Sequence, residues 1–252
     1  MSDCKKAIVI GAASGIGREL VKKLIARGYC VGLVDKKNNL LVELQKQIPE
    51  NTFVKCMDLL DPLQAMRLLE ELIQEMRGLD LLVISAAVAS ALDGGLDWEK
   101  ESEVLGVNVD GFAAMANVGM RHFLKQGFGH LAGFSSVQAV RGNPLTPAYS
   151  ASKAFVSNYL EGLRFYLRVL KSPVAITEVC AGYVQTDMLS PLPAKGLFWV
   201  VPVDKAAEII IRAIEKKRAF VYVSRRWSFV AFCLRHVPEK LMVWGARLYK
   251  EL

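Results

Sequence analysis

Ala7-Ile8-Val9-Ile10-Gly11-Ala12-Ala13-Ser14-Gly15-Ile16-Gly17 joins a short apolar run to a glycine-rich turn, and a segment of helical period follows from Arg18. Four consecutive apolar residues read as a strand buried on both faces. Gly11 permits a tight exit from that strand, Gly15 lets a backbone approach a pyrophosphate, and Gly17 allows close packing of the helix. The amide groups and positive dipole end of that helix would face the phosphates.

Five more runs of strand type follow, at residues 30–34, 52–56, 80–84, 129–134 and 174–179, separated by longer stretches of helical period. Such alternation predicts an α/β fold: one Rossmann-like, doubly wound parallel sheet with helices on both faces. The punctuation agrees, because Asp61 and Pro62 read as the N-cap and first residue of a helix that ends near Arg77 and Gly78. No repeat, low-complexity stretch or linker divides the 252 residues. Residues 1–226 are therefore expected to form one catalytic domain, with 227–252 as a helical tail.

The five cysteines, at 4, 30, 56, 180 and 233, are odd in number and lack a CxxC pair. They are expected to be reduced thiols of a cytoplasmic protein rather than a disulfide framework or zinc site. Met1 to Lys6 lead straight into the first strand, so no secretion signal is expected. His122, His130 and His236 show no ligand spacing, so no metal is expected.

About twenty residues beyond the glycines, the second strand ends at Asp35, whose carboxylate can accept hydrogen bonds from both hydroxyls of an adenosine ribose. The same charge would repel a 2′-phosphate, so NAD is favoured over NADP, although Lys36 and Lys37 could offset the repulsion. Asp58 ends the third strand and reads either as an adenine cap or as a turn or helix cap.

Tyr149 and Lys153 are four apart after Pro147, which places them on one helix face. An ammonium beside a phenol favours its ionised form, so Lys153 is expected to tune Tyr149 towards neutrality. Ser136 precedes Tyr149 by thirteen residues and follows the fifth strand, at the carboxyl edge where open parallel sheets bind ligands.

With these residues the sequence resembles the short-chain dehydrogenase/reductase family over roughly residues 5 to 190, since the phosphate loop, an asparagine, a serine and YxxxK occur in the family's order. The resemblance implies an NAD(P)-dependent oxidoreductase that interconverts an alcohol with a ketone or aldehyde. Tyr149 would be its general acid/base, Ser136 would orient the reacting oxygen, and Lys153 would tune Tyr149 and bind the nicotinamide ribose. Asn108 matches the asparagine that supports a water-linked proton path. Cofactor contacts are implied for Gly11, Ser14, Gly15, Ile16, Gly17 and Ala86, and for Val184 and Thr186, which fall in the segment matching PGxxxT. A homo-oligomer is implied as well.

Ile10, Ala181 and the run Ile84-Ser85-Ala86-Ala87 stand where the family has threonine, proline and NNAG. Ser85 offers one hydroxyl in place of an amide, so part of a stabilising network is expected to be lost. The alternative reading is therefore a catalytically weakened NAD(H)-binding regulatory or scaffold protein.

Met188, Leu189, Leu192, Leu197, Phe198, Trp199, Val200 and Val201 fall in the family's variable substrate loop and read either as a pocket for a lipophilic alcohol or ketone or as core. From Asp204 onward eleven lysines and arginines face five acidic residues, so most of the chain's net charge of +7 belongs to its end. With Trp227, Phe229, Val230, Phe232, Leu234, Leu241, Val243, Trp244 and Leu248, and with Pro238 dividing it, the tail reads as two helices. They would pack on the body or a partner, or lie peripherally on an anionic membrane surface. No nucleic-acid recognition motif accompanies the charge.

Overall fold

In the computed structural model, residues 4–48, 50–91, 95–189 and 199–250 are described, except the side chains of 246 and 248–250. Strands β1 (Lys6–Ile10), β2 (Cys30–Asp35), β3 (Thr52–Cys56), β4 (Leu81–Ile84), β5 (His130–Ser136), β6 (Ala175–Ala181) and β7 (Phe220–Tyr222) form one sheet in the order β3-β2-β1-β4-β5-β6-β7. Every neighbouring pair is parallel. The chain reverses direction across the sheet between β1 and β4, which opens a crevice at their carboxyl ends.

Helices α1 (Gly15–Ile25), α2 (Asn38–Gln47), α3 (Pro62–Glu75), α4 (Trp98–Leu105), α5 (Phe112–Gln126), α6 (Pro147–Val169) and α7 (Val203–Glu215) make the crossovers. Strand alternation sorts the core into two halves. Ile8, Ile10, Leu82 and Ile84 pack with Leu69 and Leu72 of α3, Met115 and Phe123 of α5, and Val156 and Leu160 of α6. Ala7, Val9, Leu81 and Val83 face the other way, onto Leu20 and Leu24 of α1 and Ile210, Ile211 and Ile214 of α7. Arg27 also pairs with Glu208 and Glu215 across α1 and α7. Such partly exposed ion pairs contribute below about 1 kcal/mol each, whereas each buried leucine or isoleucine contributes about 2 kcal/mol. Apolar packing therefore holds the two helices together.

Local signals explain several boundaries. Asp61 accepts a hydrogen bond from the Gln64 amide at 3.0 Å and Pro62 opens α3, which is the expected cap. Gly127 leaves α5 at φ +82°, in the left-handed region that glycine enters without strain. The tail forms α8 (Arg225–His236) and α9 (Glu239–Lys250), divided at Pro238.

Two expectations are corrected. Strand β7 has only three residues, too few to show a period, and exists because Phe220, Val221 and Tyr222 pair with Glu178, Val179 and Cys180. Cys4 and Cys30 form a disulfide with their Cα atoms 6.0 Å apart, so not all thiols are free. The Cys30 amide donates to the Lys5 carbonyl at 2.8 Å, and this pairing of β1 with β2 brings together cysteines 26 residues apart. The cysteine count therefore carries no reading of the compartment.

His130 is buried at the sheet's opposite edge, its Nε2 2.8 Å from Thr177 Oγ1. Thr177 spends its own proton on the Arg218 carbonyl at 2.6 Å, so the neutral imidazole is the donor. Burial, assisted by Lys217, pushes His130 down to about 4. The unfolded imidazole takes up its proton near its ordinary value of about 6.5, so unfolded chains bind more protons between the two values. Stability therefore falls as pH drops from about 6.5 to about 4, by about 2–3 kcal/mol for this group. Urea unfolding across that range should show the slope, and His130→Gln should flatten it; an unchanged slope in the variant would assign the effect elsewhere.

Candidate active site

The carboxyl ends of β1, β2, β4 and β5 meet at one cavity lined by Gly11, Ser14, Gly15, Ile16, Gly17, Asp35, Asp58, Ala86, Tyr149, Lys153 and Thr186, among others.

The glycine turn is built by close approach. The amides of Gly11 and Ala12 donate to the Val34 carbonyl at 2.8 and 3.0 Å, and the Ala13 amide donates to Asp35 Oδ2 at 3.1 Å. Gly11 lies at φ +89°, and a Cβ there would stand 2.6 Å from the Ala86 nitrogen. Helix α1 starts with its first amides directed into the cavity, and its N-cap Ser14 makes no side-chain capping bond. An open, positive helix end beside glycines that leave no room for side chains fits a dinucleotide pyrophosphate.

Asp35 Oδ1 also accepts from the Lys37 amide at 3.1 Å, which fixes the carboxylate at the cavity wall. Lys36 is drawn to Glu103 at 3.3 Å. Asp58 is exposed and its Oδ1 accepts from the Leu60 amide at 3.0 Å, so it closes a turn while lining the cavity.

Between α4 and α5 the helix widens into a π-helical turn, Gly106–Gly111, of the kind that often marks functional sites. This turn presents Asn108, which is 1 % exposed. Its Oδ1 accepts from the Val88 amide at 2.9 Å, and its Nδ2 donates to the Val88 carbonyl at 2.8 Å and to Ser152 Oγ at 3.0 Å. Asn108 thus ties the chain after β4 to α6, one residue from Lys153. Ser152 was missed in the sequence, where a serine beside a lysine carries no signal.

Ser136 ends β5, its Oγ accepts from the Gln138 amide at 3.2 Å, and it stands close enough to the Tyr149 hydroxyl to favour the phenolate. The neighbouring Ser135 lines the cavity, but its hydroxyl is spent on the buried Glu178 at 2.8 Å, and Glu178 also meets Arg164 at 3.3 Å. The two serines point oppositely, as successive strand residues must, and only Ser136 is turned to Tyr149.

Lys153 is 4 % exposed, donates from Nζ to the Phe134 carbonyl at 3.0 Å, and stands 5.7 Å from the centre of the Tyr149 ring. Burial pushes Tyr149 up to about 12, against a smaller opposing effect of Ser136, and pushes Lys153 down to about 8. This corrects the expectation that Lys153 draws Tyr149 towards neutrality: with the ammonium engaged on a carbonyl, desolvation of both groups outweighs their attraction. The free site holds its phenolic proton.

Ser85 donates from Oγ to the Ile10 carbonyl at 2.9 Å, so its hydroxyl bridges β4 and β1 and the expected gap in the network is filled there. Val184 is corrected in part, because its side chain is buried in the core and only its backbone could meet a cofactor. Thr186 donates to the Val184 carbonyl at 3.2 Å and lines the cavity.

The tail packs behind the segment that follows β6. Trp227 is buried over Gly182, meets Tyr183 edge-on at 5.1 Å between ring centres, and packs with Val137 and Cys180. Arg141, lying between Ser136 and Tyr149 in sequence, donates to the Leu234 carbonyl at 3.4 Å and to that of Val237, which ties the end of α8 to the loop that carries the site. Of the substrate-loop residues, Leu192, Leu197 and Phe198 lie outside the described residues.

A profile of the family described as short chain dehydrogenase matches residues 5–196. An uncharacterised oxidoreductase of Myxococcus xanthus is 33% identical over 197 residues, covering 75% of this chain and 77% of its own. Among solved structures, a short-chain dehydrogenase/reductase of Burkholderia phymatum in complex with NAD superposes with a TM-score of 0.80 at 21% identity, over 91% of this chain and 92% of the other. A short-chain dehydrogenase of Burkholderia cenocepacia in complex with NADP gives 0.78 at 22% identity, over 97% of each. Motif, fold and sequence likeness converge: the chain belongs to the short-chain dehydrogenase/reductase family of oxidoreductases.

Proposed function

We propose that this protein interconverts a lipophilic alcohol and the corresponding ketone or aldehyde, with NAD as its preferred cofactor. The observation that carries the reading is Tyr149, near Ser136 and beside Lys153, at the wall of a cavity whose other end is the glycine turn. A bound nicotinamide dinucleotide would supply the hydride chemistry. Tyr149 gives its proton to the substrate oxygen in reduction and takes it back in oxidation. Ser136 shares that oxygen and stabilises charge developing on it. Lys153 binds the cofactor ribose, and Asn108 with Ser152 holds the wall behind it.

NAD is favoured because Asp35 is held at the cavity wall by the amides of Ala13 and Lys37. A 2′-phosphate there would meet a carboxylate it cannot displace. Asp35→Ala should lower the ratio of NADH to NADPH activity at least about tenfold; wild-type protein that prefers NADPH would overturn the assignment.

The lipophilic substrate rests on Met188, which is exposed and lines the cavity, and on exposed Trp199 and Val200, with Trp199 meeting Trp227 at 6.4 Å between ring centres. Exposed Phe165, Tyr166, Val169 and Leu170 at the end of α6 support association into a homo-oligomer. The test is a panel of alcohols, ketones and aldehydes of graded chain length and ring number, followed by nicotinamide absorbance with each cofactor. Rates should rise with apolar size; no turnover of any member would sink the enzymatic reading.

A further inference from the structure

Helix α8 is apolar on two opposite faces. Inward, Trp227 and Ala231 are buried, with Val230 and Leu234 packed against them. Outward, Phe229 and Phe232 are 65% and 64% exposed, one helical turn apart. Cys233 and His236 continue that stripe, and His236 lies against the Phe232 ring at 4.6 Å between centres. Beyond Pro238, α9 adds exposed Leu241 and Trp244, whereas Met242 and Val243 line a groove against Ala139 and Pro147 of the body. A helix with two apolar faces is ordinarily covered on both, and aromatic surface of this extent marks an interaction site.

The charges around the stripe choose the partner. Arg225 and Arg226 open α8 and Arg235 lies near its end, all exposed, and α8 contains no acidic residue. On α9, Lys240 and Arg247 are exposed, with Glu239 as the acidic residue at its start. A second copy docked face to face would set these arginines against their own kind. An anionic lipid surface would instead neutralise them while its acyl boundary receives the aromatic rings. Among the described residues no helix is long and apolar enough to cross a membrane, so the contact would be in the interface plane.

We infer that the outward face of α8 and α9 docks this protein on an anionic lipid bilayer. The tie from Arg141 to the end of α8 and the burial of Trp227 fix the α8 part of this face to the body. The inference does not depend on the substrate proposed above, because its readout is binding.

Full-length protein is sedimented with vesicles of phosphatidylcholine alone and with one quarter phosphatidylglycerol, at low and high salt. Binding is expected to the anionic vesicles at low salt, at least about tenfold weaker on the neutral ones and after Arg225→Glu with Arg235→Glu. Phe229→Ser with Phe232→Ser should weaken it by a similar factor. Thermal melting checks that the variants fold, and a blue shift of tryptophan emission in the wild type, reduced in Trp244→Phe, gives an independent reading. Absence of vesicle binding, equal binding to neutral vesicles, or a dimer that the paired serine substitutions dissociate would each overturn the inference.

Discussion

Tyr149→Phe is expected to lower turnover by about two to four orders of magnitude while changing NADH affinity by less than about threefold. The substitution removes one hydroxyl and keeps the ring, so the packing beside Lys153 and the cavity wall survives. What it removes is the group proposed as proton donor. With Tyr149 pushed up to about 12, the free site carries that proton throughout the physiological range and is set as an acid for reduction. Ser136 has a hydroxyl in the same place but no comparable means of giving up its proton, so it can orient the substrate oxygen without replacing Tyr149. Comparing kcat with NADH titration, followed by ligand fluorescence, separates the two effects. Undiminished turnover would mean that another group carries the proton; equal loss of affinity would mean that Tyr149 is a cofactor-binding residue before it is a catalytic one.

Much of this site was legible because its residues sit where backbone geometry is demanding. Glycines 11, 15 and 17 are needed wherever chain meets chain or ligand at short range, and a YxxxK pair on a helix needs only the helical period to be placed. The six longer strands announced themselves as apolar runs, because a strand covered on both faces has no polar side to show. What stayed hidden depended on contacts between distant segments. Residues of β7 are ordered by their neighbour β6, and Cys4 finds Cys30 only through the pairing of β1 with β2. Asn108 was recognised from the family pattern, yet its partners Val88 and Ser152 lie 20 and 44 residues away. The state of Tyr149 is hidden for the same reason: sequence shows the neighbouring ammonium, whereas burial and the Phe134 carbonyl that occupies Lys153 are tertiary facts.

The glycine turn gives the other large effect. A Cβ on Gly17 would lie 1.9 Å from the Gly11 carbonyl oxygen and 2.7 Å from Ser85 Oγ. The first obstacle is backbone, held in place by the hydrogen bond that the Gly11 amide donates to the Val34 carbonyl and by the left-handed conformation of Gly11 itself. Relief therefore requires α1 to retreat from β1 by more than an ångström, which would open the packing of Leu20 and Leu24 against the sheet and pull the helix's amides from the phosphate position. Gly17→Ala should cost more than about 4 kcal/mol, the range of severe core disruption, and abolish measurable NADH binding. Gly15→Ala is a graded comparison: its Cβ would meet only the Thr186 methyl at 3.2 Å, at φ +52°, so about 1 kcal/mol of backbone strain is expected with weakened but detectable binding. Gly28→Ala, with the same left-handed strain at φ +78° but nothing within 4 Å of its Cβ, should leave binding intact. The order Gly17, Gly15, Gly28 in melting and NADH titration tests whether close approach, rather than glycine's flexibility, makes the turn; Gly17→Ala behaving like Gly28→Ala would show that α1 can yield without loss.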